Sequence, residues 1–372
     1  MIRNLRTKGR SMNFEKSYLN IHVLTSHSPS CLNRDDMNMQ KSAIFGGVRR
    51  VRISSQCLKR AIRKSEAYEK RLGKPSIRTL ALAHLADRYT QALAGKFPED
   101  LVRRTIALVA GKDDVPDKGD AVAPWSVAEV AKLCEIVQSA EADQLDQKKL
   151  LRRVQEQSAP LREAMARQVD IALFGRMATS GLMQPIDGAM SVAHVLTTHA
   201  VDADIDWFTA VDDLTQEEGE TGAGHLNTQE FGAGVFYRYA SLNLPRLAEN
   251  MGETNTQKPL DVAAHLVHLF ATVVPQAKQN SFAAYNLADL VCVSLADLPV
   301  SAANAFEKPV GPDNVGGLRE PSVRAFEEYV QTVRAGYGLE ERSAVFSILD
   351  TCLTPRLNSL AELEQWVRNG GS

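Results

Sequence analysis

Cysteine is scarce in this chain: Cys31, Cys57, Cys134, Cys292 and Cys352 are scattered through 372 residues, and no two stand at metal-ligand spacing. Their odd number argues against a closed disulfide framework, and the sparse use points to a reducing cytoplasm. Long hydrophobic runs are missing, so no membrane span is expected. The basic residues Arg3, Arg6, Lys8 and Arg10 lead into no apolar stretch, which excludes a secretory signal; residues 1–11 read as a tail. Catalytic signatures are missing too. There is no Gly-x-Ser-x-Gly elbow, and no Walker lysine follows the glycine-rich turn at Gly219, Gly222 and Gly224. His265 and His268 share a helix face without a further ligand at matching spacing, so neither metal nor cofactor is expected. Nor is there an excess of positive charge. Lys and Arg number 43 against 45 Asp and Glu, a formal net charge of −2. Any nucleic-acid partner therefore requires cations concentrated on one face.

What is present is an ordinary globular composition, 44% hydrophobic and 24% charged. The length calls for one core domain with a large insertion, or for two domains. Tyr18–Thr25 alternates, with Leu19, Ile21 and Val23 on one face, and predicts a half-buried strand. A polar loop is expected from Ser26 to Ser42, then a turn at Gly46 and Gly47. A second strand over Val48–Ile53 places Arg50 and Arg52 on one face and Val51 and Ile53 on the other. Ser54 or Ser55 caps a helix running toward Leu72.

From Ser76 to Met183 helical periodicity recurs in Leu80–Ala94, Leu101–Ala110, Ser126–Val137 and Lys148–Val169, which predicts an all-helical insertion. Strands at Ala189–Thr198 and Gly234–Leu244 flank a long arm with an acidic tip at Asp212, Asp213, Glu217 and Glu218. Ala263–Val274 reads as a helix, Ala288–Leu295 as a strand and Gly311–Gly317 as a loop. Further helices start at Ser322 and Leu360. The order of elements is that of an α+β fold with a split-βαβ core.

The sharpest local feature is basic. Lys41, Arg49, Arg50 and Arg52 surround the glycine turn, and Lys59, Arg60, Arg63 and Lys64 occupy successive turns of the following helix. Like charges at i, i+4 cost an isolated helix a few tenths of a kcal/mol per pair, roughly. A polyanion reverses that penalty by counterion release. A solvated basic face accounts for the same pattern.

The run from Asn20 to Gln56, including Asn33-Arg-Asp-Asp-Met-Asn-Met-Gln-Lys and Phe45-Gly-Gly-Val-Arg-Arg-Val-Arg-Ile-Ser-Ser-Gln, strongly resembles the CasC family, the backbone of the Cascade complex in type I-E CRISPR systems. The similarity continues in Asp170-Ile-Ala-Leu-Phe-Gly-Arg-Met-Ala-Thr-Ser-Gly, Asp206-Trp-Phe-Thr-Ala-Val-Asp-Asp, Ala302-Ala-Asn-Ala-Phe-Glu-Lys and Trp366-Val-Arg-Asn. The resemblance implies an RRM-like (ferredoxin-like) palm in residues 12–75 and 188–372, helical fingers in 76–187, and a β-hairpin thumb in an arm over about 202–233. It also implies a non-catalytic, cytoplasmic subunit that packs head-to-tail with copies of itself and with other Cascade subunits along a guide RNA (crRNA). Each thumb would interrupt the guide, leaving the bases between free to pair with target DNA.

Carried onto this chain, the resemblance assigns the guide backbone to Arg34, Lys41, Arg49, Ser54, Gln56, Lys59, Arg60 and Arg63, with Arg50 and Arg52 in the same cluster. A protein that accepts any guide should hold phosphates and 2′-hydroxyls rather than base edges. Val48 stands where many relatives place a lysine. Arg176 and Met177 are further candidates along the guide. Trp207 and Phe208 are the candidate thumb wedge, since an aromatic stacks on any base; packing of the hairpin is the plainer role. On the fingers, the resemblance implies that Lys148, Lys149, Arg152 and Arg153 meet duplex DNA, although from pattern alone a solvated helix face is the better reading.

Two other functions fit parts of the sequence. Asp35 and Asp36 could bind Mg²⁺ and cut target RNA, as related backbone subunits of type III complexes do. A stand-alone regulator on an RRM-like fold is the other.

Overall fold

The structure is a computed structural model that describes residues 14–143, 149, 152–153, 168–177, 185–202, 204–211 and 223–372, with backbone alone at 207–211 and 223–227. Its strands, in chain order, are β1 (Tyr18–Ser30), β2 (Ser42–Phe45), β3 (Val48–Ile53), β4 (Ile77–Thr79), β5 (Ala123–Trp125), β6 (Met190–Val192), β7 (Val195–Thr197), β8 (Asp204–Val211), β9 (Ala223–Asn243), β10 (Leu290–Ala296), β11 (Arg342–Ser347) and β12 (Arg356–Leu357). Helices punctuate the strands throughout, and the architecture is α+β. The chain divides into two compact units, one of residues 16–68, 192–241 and 261–372, the other of 1–15, 69–191 and 242–260.

The first unit is built on a sheet in the order β12-β11-β10-β1-β9-β7-β3-β2. β1 runs antiparallel to β10, and β10 antiparallel to β11. The alternation of β1 predicts one wet face, yet Asn20 and His22 are as buried as Leu19, Ile21 and Val23. Pairing makes this tolerable. Tyr239 Oη donates to Asn20 Oδ1 at 3.0 Å, Asn20 Nδ2 donates to the Leu298 carbonyl at 3.0 Å, and His22 Nδ1 meets Tyr237 Oη at 2.8 Å. Phe326, from the Arg319–Tyr337 helix, closes over His22 with ring centroids 5.4 Å apart. Arg238 is likewise buried, its guanidinium donating to the carbonyls of Phe270 and Val273 at 2.9 Å.

The polar loop expected from Ser26 is shorter than predicted, because β1 runs on to Ser30. The basic helix is also two helices, Ser55–Lys64 and Glu66–Leu72. Ser65 makes the break: its hydroxyl donates to the Ile62 carbonyl at 2.7 Å and accepts from the Tyr68 N–H at 3.1 Å. β11 and β12 form the sheet edge beyond β10, in a stretch where only loop and helix are expected from pattern.

The second unit packs Leu85, Tyr89, Leu101, Ile106, Val130 and Cys134 from the helices Leu82–Ala92, Glu99–Val109 and Val127–Ala142 into one core. It is not all-helical. Ile77 and Thr79 pair with Trp125 and Ala123 across the β4–β5 ladder, where β-branched residues and Pro124 disfavour helix. Asp170, fully buried, holds this ladder in place by accepting from Ser76 N at 3.0 Å and Ser76 Oγ at 2.5 Å.

Candidate nucleic-acid interface

The site begins with a turn. Phe45 pairs with Val48 across the β2–β3 hairpin, leaving Gly46 and Gly47 as a two-residue loop with φ of 61° and 77°. Both angles are positive, as the tight hairpin turn matched to strand twist demands. Gly46 is required on a second ground, since a Cβ there would lie 1.7 Å from the Glu307 carbonyl oxygen. The turn is therefore pressed against the chain at Glu307.

Arg50 locks that contact. Its guanidinium donates to the carbonyls of Phe45 (3.2 Å), Thr197 (3.1 Å), Phe306 (2.9 Å) and Glu307 (3.2 Å), and the residue is 0% exposed. Burial lowers its pKa, against the opposing pull of Glu307. Arg50 is therefore a clamp within the fold, not a nucleic-acid contact as its place in the cluster suggests. Four of the five N–H donors of the guanidinium are spent on these carbonyls.

Its neighbours face the other way. Arg49 and Arg52, with Asp35, Met39, Gln40, Lys41, Ser42, Ile205 and Glu230, line a cleft of about 520 Å³. The Arg49 side chain is half exposed; its Nε donates to Ser42 Oγ at 3.3 Å and its Nη1 lies 3.5 Å from Glu230 Oε1. Arg52 donates to the Ser42 carbonyl at 3.4 Å and lies 2.9 Å from His194 Nδ1. Arg52 can only donate, so His194 Nδ1 is the acceptor of that pair, and burial first, then Arg52 and Lys41, lower the His194 pKa. The loop before β2 is stitched to the same frame. Lys41 N donates to the Asn33 carbonyl at 2.9 Å, and Ser54 N to Asn33 Oδ1 at 2.8 Å. Arg34 holds Asn38 Oδ1 at 2.7 Å, and Asp35 Oδ1 accepts from the N–H groups of both Met37 and Met39 at 2.9 Å.

On the adjoining helix, Ser54 is the N-cap, its hydroxyl accepting from Cys57 N at 3.2 Å. Gln56, Arg60 and Lys64 are exposed, Lys59 is partly so, and Arg63 is buried at 8%. Arg63 thus lies on the inner side of the helix, and the i, i+4 pattern divides into an outer pair and an inner residue.

The remaining candidates fall elsewhere. Arg176 is 3% exposed and bonded to Glu129 at 2.7 Å, so it serves the second unit's core instead of a guide; Met177 is 88% exposed. Lys149 and Arg152 are exposed, Arg153 is ion-paired with Asp143, and Lys148 lies outside the described residues. β8 and β9 form an antiparallel hairpin in which Trp207 pairs with Thr228 and Phe208 with Asn227; the side chains of both aromatics lie outside the described residues. β9 continues from this hairpin into the main sheet as one strand of 21 residues. His268 Nδ1 lies 2.7 Å from Glu364 Oε1. Among the described residues, no cluster of three or more His, Cys, Asp or Glu is placed to hold a metal, and no helix is long and apolar enough to cross a membrane.

Glu230 is the residue that sequence reasoning passes over. It accepts from Gln40 N at 3.1 Å, opposes Ile205 across the hairpin, and is 6% exposed at the side chain. Nothing local marks it, because Asn227, Thr228 and Gln229 precede it in the strand and its partner Gln40 lies 190 residues away in the chain.

A family profile described as CT1975-like protein matches residues 19–368. Among solved structures, a chain of a "CRISPR RNA-guided surveillance complex, pre-nicking" is 27% identical, with a TM-score of 0.78 over 95% of this chain and 100% of that one. A chain of another "CRISPR RNA-guided surveillance complex" is 25% identical, with a TM-score of 0.62 over 95% and 99%. No curated protein matches.

Proposed function

Since the chain belongs to the CT1975-like family of Cas proteins, we propose that it is a non-catalytic backbone subunit of a type I-E CRISPR surveillance complex, Cascade. Copies pack head-to-tail in the cytoplasm along a guide RNA, with other subunits at the ends. The observation that carries this reading is the division of labour at the hairpin: Arg50 fixes the turn, so that Lys41, Arg49 and Arg52 converge on an open cleft of about 520 Å³. Cations held on a rigid hairpin suit a phosphate chain of arbitrary sequence. The two similar solved chains belong to complexes that are RNA-guided, which supports the reading. The β8–β9 hairpin is the thumb that segments the guide, and the bases between thumbs pair with target DNA.

Mass measurement on RNAs of graded length tests this. Bound copies should increase stepwise with length, whatever the sequence. One fixed stoichiometry on every RNA would favour the regulator. Asp35 argues against the nuclease reading, because its Oδ1 is occupied by two backbone N–H groups and shapes the loop. Periodic, Mg²⁺-dependent cuts in complementary RNA, abolished by Asp35→Ala or Asp36→Ala, would reverse that judgement.

A further inference from the structure

In a cleft where Lys41, Arg49 and Arg52 converge, Glu230 is out of place. A phosphodiester carries only acceptors, so a carboxylate beside Arg49 opposes the grip that Arg49, Arg52 and Lys41 provide. As a mere prop for Arg49 it is poorly placed, since Oε1 lies 3.5 Å from Nη1, at the edge of hydrogen-bond distance. Its other oxygen takes the Gln40 N–H at 3.1 Å. A carboxylate has about four acceptor positions, so these two contacts leave it unsaturated. The other acid of the cleft, Asp35, spends Oδ1 on two backbone N–H groups.

One ligand converts this liability into an attraction. The ribose 2′-hydroxyl is the donor that the sugar-phosphate backbone of RNA offers and that of DNA lacks. We propose that Glu230 accepts a ribose 2′-hydroxyl in this cleft and so makes the cationic grip selective for RNA over DNA. The proposal rests on the guide-RNA reading and adds a discriminating residue to it. With a hydroxyl donor present, the carboxylate gains a charge-assisted hydrogen bond. Without one it faces phosphates with nothing to exchange. Selectivity thus comes as much from rejecting DNA as from holding RNA.

Binding of one sequence in three chemistries (RNA, DNA and 2′-O-methyl RNA) to the full chain tests this. The methyl ether keeps the ribonucleotide sugar but removes its donor. Wild type should prefer RNA to both others by about tenfold, the size of one hydrogen bond to a charged group. Glu230→Gln keeps an acceptor for Gln40 N–H and removes the charge. It should bring the ratio to within about threefold, chiefly by strengthening DNA and 2′-O-methyl RNA. Arg49→Gln, with Glu230 intact, should weaken all three and preserve the ratio. The idea fails if wild type holds RNA and 2′-O-methyl RNA equally, or if Glu230→Gln strengthens all three alike, for then the carboxylate is only a repelling charge. If wild type binds none of them, the guide-RNA reading falls and takes this proposal with it.

Discussion

Arg49 and Arg50 are consecutive, identical in chemistry, and opposite in role. Replacing Arg50 with Met removes the donors of the Phe45, Thr197, Phe306 and Glu307 carbonyls within the fold. Orphaned acceptors of this kind cost about 1–3 kcal/mol each where burial is complete, so a loss of about 2–5 kcal/mol is expected in denaturant unfolding. Arg49→Gln removes a long, half-exposed contact to Glu230 and should change stability by less than about 1 kcal/mol, while weakening RNA binding. Equal stability losses in the two variants would refute the assignment of roles.

Buried histidines give a second test at this scale. Burial, reinforced by Arg334, lowers the His22 pKa from 6.5 to about 3, and burial with Arg238 does the same to His27. Below pH 6.5 the unfolded chain takes up protons that the folded chain refuses, so stability is undiminished above that pH and declines beneath it. The decline is about 1.4 kcal/mol per pH unit per histidine, or about 4 kcal/mol for both at pH 5. Unfolding in denaturant at pH 7.5 and pH 5 measures it. His22→Gln should make the dependence shallower even where it lowers stability overall, and a stability that does not change over this range would exclude the mechanism.

The β2–β3 hairpin sets the elements in relation to one another, and its two glycines differ in kind. At Gly47 a Cβ meets nothing within 4 Å, so Gly47→Ala bears only the strain of φ = 77°, about 1–2 kcal/mol. At Gly46 the same methyl strikes the Glu307 carbonyl at 1.7 Å. Gly46→Ala must move the turn, and should weaken RNA binding well beyond Gly47→Ala at matched stability. On the β8–β9 hairpin, Phe208→Ala should spare the melting temperature and loosen guide or target engagement.

Much at this scale is legible in the sequence: the glycine turn, the Ser54 cap, the alternating β3 and the helices expected over Leu80–Ala94, Leu101–Ala110 and Ser126–Val137 all follow from local chemistry, while the one expected over Lys148–Val169 lies largely outside the described residues. The fate of Arg50 is not legible there, because its acceptors lie as far as 257 residues away in the chain. Arg176 was hidden for the same reason, its partner Glu129 being 47 residues off. Period-two reasoning placed Arg50 and Arg52 together on one face; only tertiary carbonyls decide which of them is consumed by the fold. The sheet edge at β11 and β12 escaped notice because strands of 6 and 2 residues carry too little pattern.

For the molecule as a whole, the net charge of −2 means that no long-range field draws it to nucleic acid, and binding must come from the few cations placed on one surface. That fixes the expected salt dependence. Each neutralised phosphate of a single strand contributes about −0.7 to the slope of log K against log salt. Engagement of Lys41, Arg49 and Arg52 alone gives about −2 per bound copy, and addition of Arg60 and Lys64 gives about −3.5. A grip made mainly by aromatics of the β8–β9 hairpin stacked on bases would leave the slope near zero, because stacking releases few counterions. The two sources are separable in one titration. Lys41→Gln with Arg49→Gln should make the slope shallower by about 1.4, whereas Phe208→Ala should lower affinity at every salt concentration and leave the slope as it was. If the paired cleft variant keeps the wild-type slope, the cations of the cleft do not touch phosphate, and the β2–β3 hairpin is structural throughout.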